Sequence, residues 1–138
     1  MVRVNQSHIL ITGGERASSY LYSEETGFVR IEDMRIPNRR YHGCSLINDN
    51  MVMIAGGWYA GTMTEYLDLT TLSWHAGPDT PTLVFIAQMT GDLLIGDGKI
   101  YRLEELELST EGQWQWVEVR NVRKGFFGAY EISEKLCK

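Results

Sequence analysis

A short apolar strand ending in two glycines occurs twice in this chain, and that repetition restricts the possible folds more than any other feature. His8-Ile9-Leu10-Ile11-Thr12-Gly13-Gly14 and Met51-Val52-Met53-Ile54-Ala55-Gly56-Gly57 place their first glycines 43 residues apart. A weaker echo, Asp92-Leu93-Leu94-Ile95-Gly96-Asp97-Gly98, follows 40 residues later. Self-similarity at roughly 40 to 50 residues marks blade-type β repeats, whose units bury by stacking a face that none can bury alone. The expected fold class is all-β, and the expected function lies with binding rather than chemistry.

Pattern and punctuation predict strands almost throughout. Runs rich in Ile, Val, Tyr, Trp and Leu alternate with clusters of Gly, Asn, Asp, Ser and Thr. Asn48-Asp49-Asn50 separates a predicted strand at Tyr41–Ile47 from Met51–Ala55 and reads as a hairpin turn. Thr90-Gly91-Asp92 does the same between Leu83–Met89 and Leu93–Ile95. Ser23–Gly27 turns between Tyr20–Tyr22 and Phe28–Ile31, and Thr70–Leu72 links Glu65–Leu69 to Ser73–His75. Arg102–Leu108 comes nearest to a helix, but its place in the repeat predicts a strand.

Aligned on the glycines, the units share a second signal. An aromatic is followed eight residues later by another, Tyr20 to Phe28 and Tyr66 to Trp74, while the third unit keeps Tyr101, Trp114 and Trp116. This pattern resembles the kelch repeat, which forms one four-stranded blade of a β-propeller. The residues that carry the resemblance in the middle unit are Arg40-Tyr41-His42-Gly43-Cys44, Asn48-Asp49-Asn50, Gly56-Gly57, Tyr66 and Trp74. Gly13, Gly14, Tyr20 and Phe28 carry it in the first unit, and Gly96, Tyr101 and Trp114 in the third. The resemblance implies a partial kelch-type propeller of about three four-stranded antiparallel blades: one repeat region over residues 1–138, with units near 1–36, 37–78 and 79–120. Gly13, Gly14, Gly56, Gly57, Tyr20, Tyr66, Trp74 and Trp114 are then architecture. Glycine permits positive φ and close backbone approach, and each aromatic buries roughly 150–250 Å² between sheets.

Composition narrows the function. A net charge of −5 disfavours a nucleic-acid or anionic-membrane surface, despite the local cations Arg35, Arg39 and Arg40. No run of eighteen apolar residues predicts a membrane span, and the opening Met1-Val2-Arg3-Val4-Asn5-Gln6 lacks an apolar signal core. Cys44 and Cys137 read as free thiols of a reducing compartment, so a cytoplasmic location is expected. Asn5-Gln6-Ser7 fits a glycosylation triplet that has no use without secretion.

No reactive constellation stands out, so no catalytic residue, metal or cofactor is expected. His8, His42 and His75 fall in different units, and His42 reads as a structural hydrogen-bonding residue. Gly-x-Ser-x-Gly is absent, and Ile95-Gly96-Asp97-Gly98-Lys99 precedes a strand rather than the helix a phosphate loop requires. Glu104, Glu105, Glu107 and Glu111 interleave with leucines as a solvated strand edge would. Copper-dependent oxidases and certain epimerases are built on kelch-type propellers, so a propeller enzyme is the competing expectation, with a truncated and inactive product as a third.

The resemblance directs attention to loops. In kelch propellers the connections between blades and the loops after the diglycine gather at one mouth of the ring. Carried to this sequence, that surface comprises Glu15, Arg16 and Ser18, then Arg35, Asn38 and Arg39, then Trp58 and Tyr59, with Arg120, Arg123 and Lys124 before the last segment. Arginine beside exposed aromatics is the composition of an interaction hot spot, and arginine pairs bidentately with carboxylates. The expected partner is a protein, with an acidic peptide loop as a suitable ligand. The family's propellers commonly serve in ubiquitin-ligase substrate adaptors or as cytoskeleton binders.

The strands do not close a ring. The first unit lacks a leading strand unless Met1-Val2-Arg3-Val4 serves, and Gly125–Ile132 has the character of a leading strand with no blade behind it. Propellers need roughly four to eight blades. Three readings follow: a piece or shortened relative of a longer protein, a homodimer in which residues 125–132 complete the partner's first blade, or a free-standing partial propeller.

Overall fold

The computed structural model describes residues 1–105 and 113–121, in which twelve strands and no helix occur. The strands are β1 (Val2–Arg3), β2 (Ile9–Thr12), β3 (Ser19–Ser23), β4 (Gly27–Arg30), β5 (Gly43–Asn48), β6 (Met51–Ala55), β7 (Glu65–Asp68), β8 (Ser73–Ala76), β9 (Ala87–Thr90), β10 (Leu93–Gly96), β11 (Lys99–Glu105) and β12 (Trp114–Asn121). They form three antiparallel meanders of four strands each, β1 to β4, β5 to β8 and β9 to β12. The leading strands β1, β5 and β9 lie side by side, and the sheets pack face to face behind them. This is an all-β, propeller-like fold of three blades.

Turn chemistry sets the hairpins. Asn48 Oδ1 accepts the Asn50 amide at 2.9 Å across the β5–β6 turn, and Gly91 takes φ 53° in the β9–β10 turn. The third sheet starts later than the apolar run at Leu83–Met89 predicts. Strand geometry begins only at Ala87, and residues 83–86 form a connection instead. The leading strand of the first sheet is Val2–Arg3, which pairs with Leu10 and Ile9. The place beside β2 is thus filled by the chain's own β1. The predicted closing strand at residues 125–132 lies outside the described residues, as do Arg123, Lys124 and Cys137.

Strand β6 divides its side chains between two cores. Val52 and Ile54 pack with Val4, Leu10, Ala17, Met34, Leu67 and Trp74 between the first and second sheets. Met53 and Ala55 pack with Val84, Ala87, Leu94, Tyr101, Leu103 and Trp116 between the second and third. The period of two along a strand causes this division, and it leaves the middle sheet covered on both sides. Trp74 is anchored further: its indole N–H donates to the Glu32 carbonyl at 2.9 Å, and its amide donates to the Glu32 carboxylate at 3.0 Å. In the third sheet Trp116 is the fully enclosed tryptophan, while Trp114 packs half-buried against the same core.

The tyrosines matched by sequence spacing point to opposite sides. Tyr66 pairs with Met53 and His75 and packs toward the third sheet. Tyr20 pairs with Ile11 and Arg30, and its register equivalent in the second sheet is Glu65. Level with Tyr66 in the first sheet stands Leu21. The aromatic spacing is equal only because the turns differ. Residues 24–26 separate the paired ends of β3 and β4, whereas residues 69–72 separate those of β7 and β8. A one-residue offset moves a strand residue to the other face.

Candidate functional site

The connections between sheets and the loops after the glycine pairs gather at one end of the molecule. Backbone bonds tie them together. The Gly14 amide donates to the Arg39 carbonyl at 3.3 Å, Trp58 to Arg40 at 2.9 Å, Gly57 to Val84 at 2.7 Å and Ala87 to Tyr41 at 2.9 Å. The Phe85 amide donates to Asp97 Oδ2 at 2.6 Å. One continuous set of contacts therefore runs from the first sheet's loop to the third's.

The glycine pairs make that convergence possible. Gly13, Gly14, Gly56 and Gly57 all have positive φ, between 67° and 115°. A Cβ on Gly13 would lie 2.7 Å from His42 Cε1, and one on Gly57 would lie 2.6 Å from the Arg40 carbonyl oxygen. The connection Arg40–His42 is thus wedged between two glycine turns that only a residue without a side chain can form.

Beneath the loops lies a buried ion pair. Arg39 is completely enclosed, its Nη1 2.8 Å from Glu65 Oε1, its Nε bonded to the Gly56 carbonyl at 2.9 Å and its Nη2 to the Met63 carbonyl at 2.5 Å. The second Glu65 oxygen accepts the Arg35 amide at 2.8 Å. Burial pulls the Arg39 pKa below its ordinary value, opposed by the charge and hydrogen bond of Glu65. Arginine remains a cation even so. Arg39 was expected among the residues offered to a partner. It instead fastens the inter-sheet connection to the loop after β6, because its guanidinium is fully used by internal acceptors.

His42 stands nearby with its Nδ1 buried and lacking a hydrogen-bond partner. Burial lowers its pKa to about 4, with the Arg39 cation and the amino terminus adding to the effect and the Arg39 carbonyl opposing it. The structural hydrogen bond expected of His42 is therefore not made through Nδ1. The ring lies in the space that a Gly13 side chain would occupy, with the Arg39 carbonyl as its polar neighbour.

Outward from this support, the loops present four aromatic rings and an isoleucine. Tyr41 is 63% exposed, Trp58 48%, Tyr59 69%, Phe85 51% and Ile86 62%. The Tyr41 and Trp58 rings meet edge-on, with centroids 6.2 Å apart. Tyr41 and Tyr59 have φ of 57° and 65°, and Asn38 and Asp97 have φ of 60° and 49°. Such conformations cost about 1–3 kcal/mol each in a residue with a side chain, and they collect at binding sites. Arg40 pairs with Glu15 at 3.1 Å in an exposed contact.

Of the residues singled out from sequence, Glu15, Arg16, Asn38, Trp58 and Tyr59 are exposed at this end, and Ser18 is half-buried. Arg35 is exposed too, its amide spent on Glu65. Arg120 belongs to β12 through its backbone pairing with Ile100. Sequence reasoning missed Tyr41, Phe85 and Ile86 as surface residues, since apolar residues in a predicted strand read as core, and it left Arg40, a noted local cation, out of the loop surface. Among the described residues no three of His, Cys, Asp and Glu gather as a metal site would require. No helix among them is long and apolar enough to cross a membrane. No family model matches the chain. Nor does any curated protein.

Proposed function

We propose that this chain is a non-enzymatic interaction module of kelch type that holds a protein partner with its loop end. The observation that supports this most is the group Tyr41, Trp58 and Tyr59, exposed on braced loops with two of its three backbones strained. Large rings held open to water at an energetic cost are the composition of a hot-spot patch, and preorganised loops lose little entropy on binding. Arg16, Arg35 and Arg40 are exposed cations on the same connections, Arg40 beside Glu15, which suits a partner loop carrying carboxylates beside an apolar anchor. The kelch resemblance adds the kind of protein: a part or relative of a ubiquitin-ligase substrate adaptor or of a cytoskeleton-binding protein, acting in the cytoplasm.

The test is affinity capture by the immobilised chain beside two variants. One combines Trp58→Ala with Tyr59→Ala. The other combines Glu24→Lys with Glu25→Lys in the β3–β4 turn, away from the loops. The reading expects partners retained by the parent chain to be lost by the first variant, with affinity at least ~10-fold weaker, and kept by the second. Partners that bind both variants equally would overturn it.

A further inference from the structure

Arg39 and Arg40 are neighbours in sequence with opposite surroundings. Nε, Nη1 and Nη2 of Arg39 each donate inward, to Gly56, Glu65 and Met63. Arg40 points outward, its side chain 47% exposed, and its Nη2 lies 3.1 Å from Glu15 Oε1. Among the described residues neither side chain makes a second hydrogen bond or ion pair. Nε and Nη1 of the guanidinium and the other Glu15 oxygen are therefore free.

The backbones beneath this pair are both held. Glu15 sits in a turn closed by the Ala17 amide on the Gly14 carbonyl at 3.3 Å, and the Gly14 amide donates in turn to the Arg39 carbonyl. The Arg40 carbonyl accepts the Trp58 amide at 2.9 Å, and the next residue, Tyr41, meets the Trp58 ring edge-on. The half-used guanidinium thus stems from the same backbone junction as the exposed ring pair. An exposed ion pair with one contact contributes little, whereas a fork that receives both oxygens of a carboxylate makes the stronger, bidentate arrangement. Nothing else fastens the Glu15 carboxylate, and at 79% exposure water serves it fully once it lets go.

We propose that Glu15 keeps, on Arg40, the place of a partner's carboxylate. On binding, an aspartate or glutamate of the partner displaces Glu15 from the guanidinium while a large apolar side chain beside it settles on Tyr41 and Trp58. The loop end carries its own weak competitor. A segment offering only the apolar group leaves Arg40 with Glu15 and gains nothing there, so the exchange selects for acidity. This rests on the partner-binding reading above and names the chemistry that the partner must bring.

The probe is a set of peptides selected from a random displayed library on the immobilised 138-residue chain at neutral pH, keeping those that Trp58→Ala no longer retains. They should share an aspartate or glutamate beside an aromatic or large aliphatic residue. For such a peptide Arg40→Gln should weaken binding at least ~10-fold. Glu15→Gln should strengthen it roughly 2–5-fold, the worth of an exposed pair that no longer has to be broken. Both side chains are exposed, so neither change touches a core. The double variant separates exchange from general repulsion: without Arg40, Glu15→Gln should give no gain. Peptides that need Trp58 yet bind Arg40→Gln as well as the parent overturn the inference and leave the partner-binding reading standing. So does a Glu15→Gln gain that is absent, or that persists without Arg40. Recovery of no peptide that needs Trp58 overturns that reading and this inference with it.

Discussion

At the scale of the residue, two polar side chains govern the loop end, Arg39 buried and His42 half-buried, and they act in opposite senses. Arg39 donates to three acceptors, Gly56, Met63 and Glu65, and all three bonds are lost if it is truncated. Arg39→Ala strands a buried carboxylate, so a loss of about 3–5 kcal/mol is expected in urea unfolding. Arg39→Met combined with Glu65→Leu should recover only part of it, since it removes the stranded charge but leaves the Arg35 amide and the Gly56 and Met63 carbonyls without these partners. His42 is the reverse, a group kept neutral by its surroundings. Its folded pKa of about 4 lies below the ordinary 6.5, so between those values the unfolded chain takes up a proton that the folded chain refuses. The contribution is complete above about pH 6.5 and falls away as the pH drops toward 4. Urea midpoints measured across that window should decline with acidity in the parent chain and decline less in His42→Leu. Neither role was legible in the sequence. Arginine in a polar connection is usually solvated, and the acid that claims Arg39 lies 26 positions away.

At the scale of the element, the repeat was legible and its internal register was not. Alternating apolar residues and Gly or Asn turns are local signals, so hairpins near Asn48–Asn50 and Thr90–Asp92 could be read directly. Which face a tyrosine occupies depends on the exact length of a turn, and spacing alone hides that. The equal eight-residue intervals from Tyr20 to Phe28 and from Tyr66 to Trp74 concealed turns that differ by one residue. The run before Ala87 misled for a related reason. Val84, Phe85 and Ile86 are as apolar as a strand, but the Val84 carbonyl and the Phe85 amide bond to Gly57 and Asp97 rather than to a ladder. Only Val84 is buried, and Phe85 and Ile86 are left in solvent beside Trp58's loop. The surface that supports the functional reading was therefore half visible: its tryptophan and tyrosine after the second glycine pair, but not the rings contributed by neighbouring connections.

At the scale of the whole molecule, stability is a sum over neighbouring sheets, with the middle one shared. Leu94→Ala removes volume only from the second core, and Leu10→Ala only from the first; either should cost about 2–5 kcal/mol. Amide exchange is expected to quicken most in the third sheet for the former and in the first sheet for the latter, with β6 affected by both. Uniform quickening throughout the chain would mean that the sheets open as one unit. The sharing of β6 also bears on how such a sequence tolerates change in length. One residue inserted between Met51 and Ala55 would hand each core the side chains meant for the other, so neither boundary would survive the edit. Changes in length should accordingly be borne better by the loops than by the strands, and the loops at 13–18 and 56–64 are those that carry the surface proposed for a partner, so recognition could diversify there while the scaffold stays fixed.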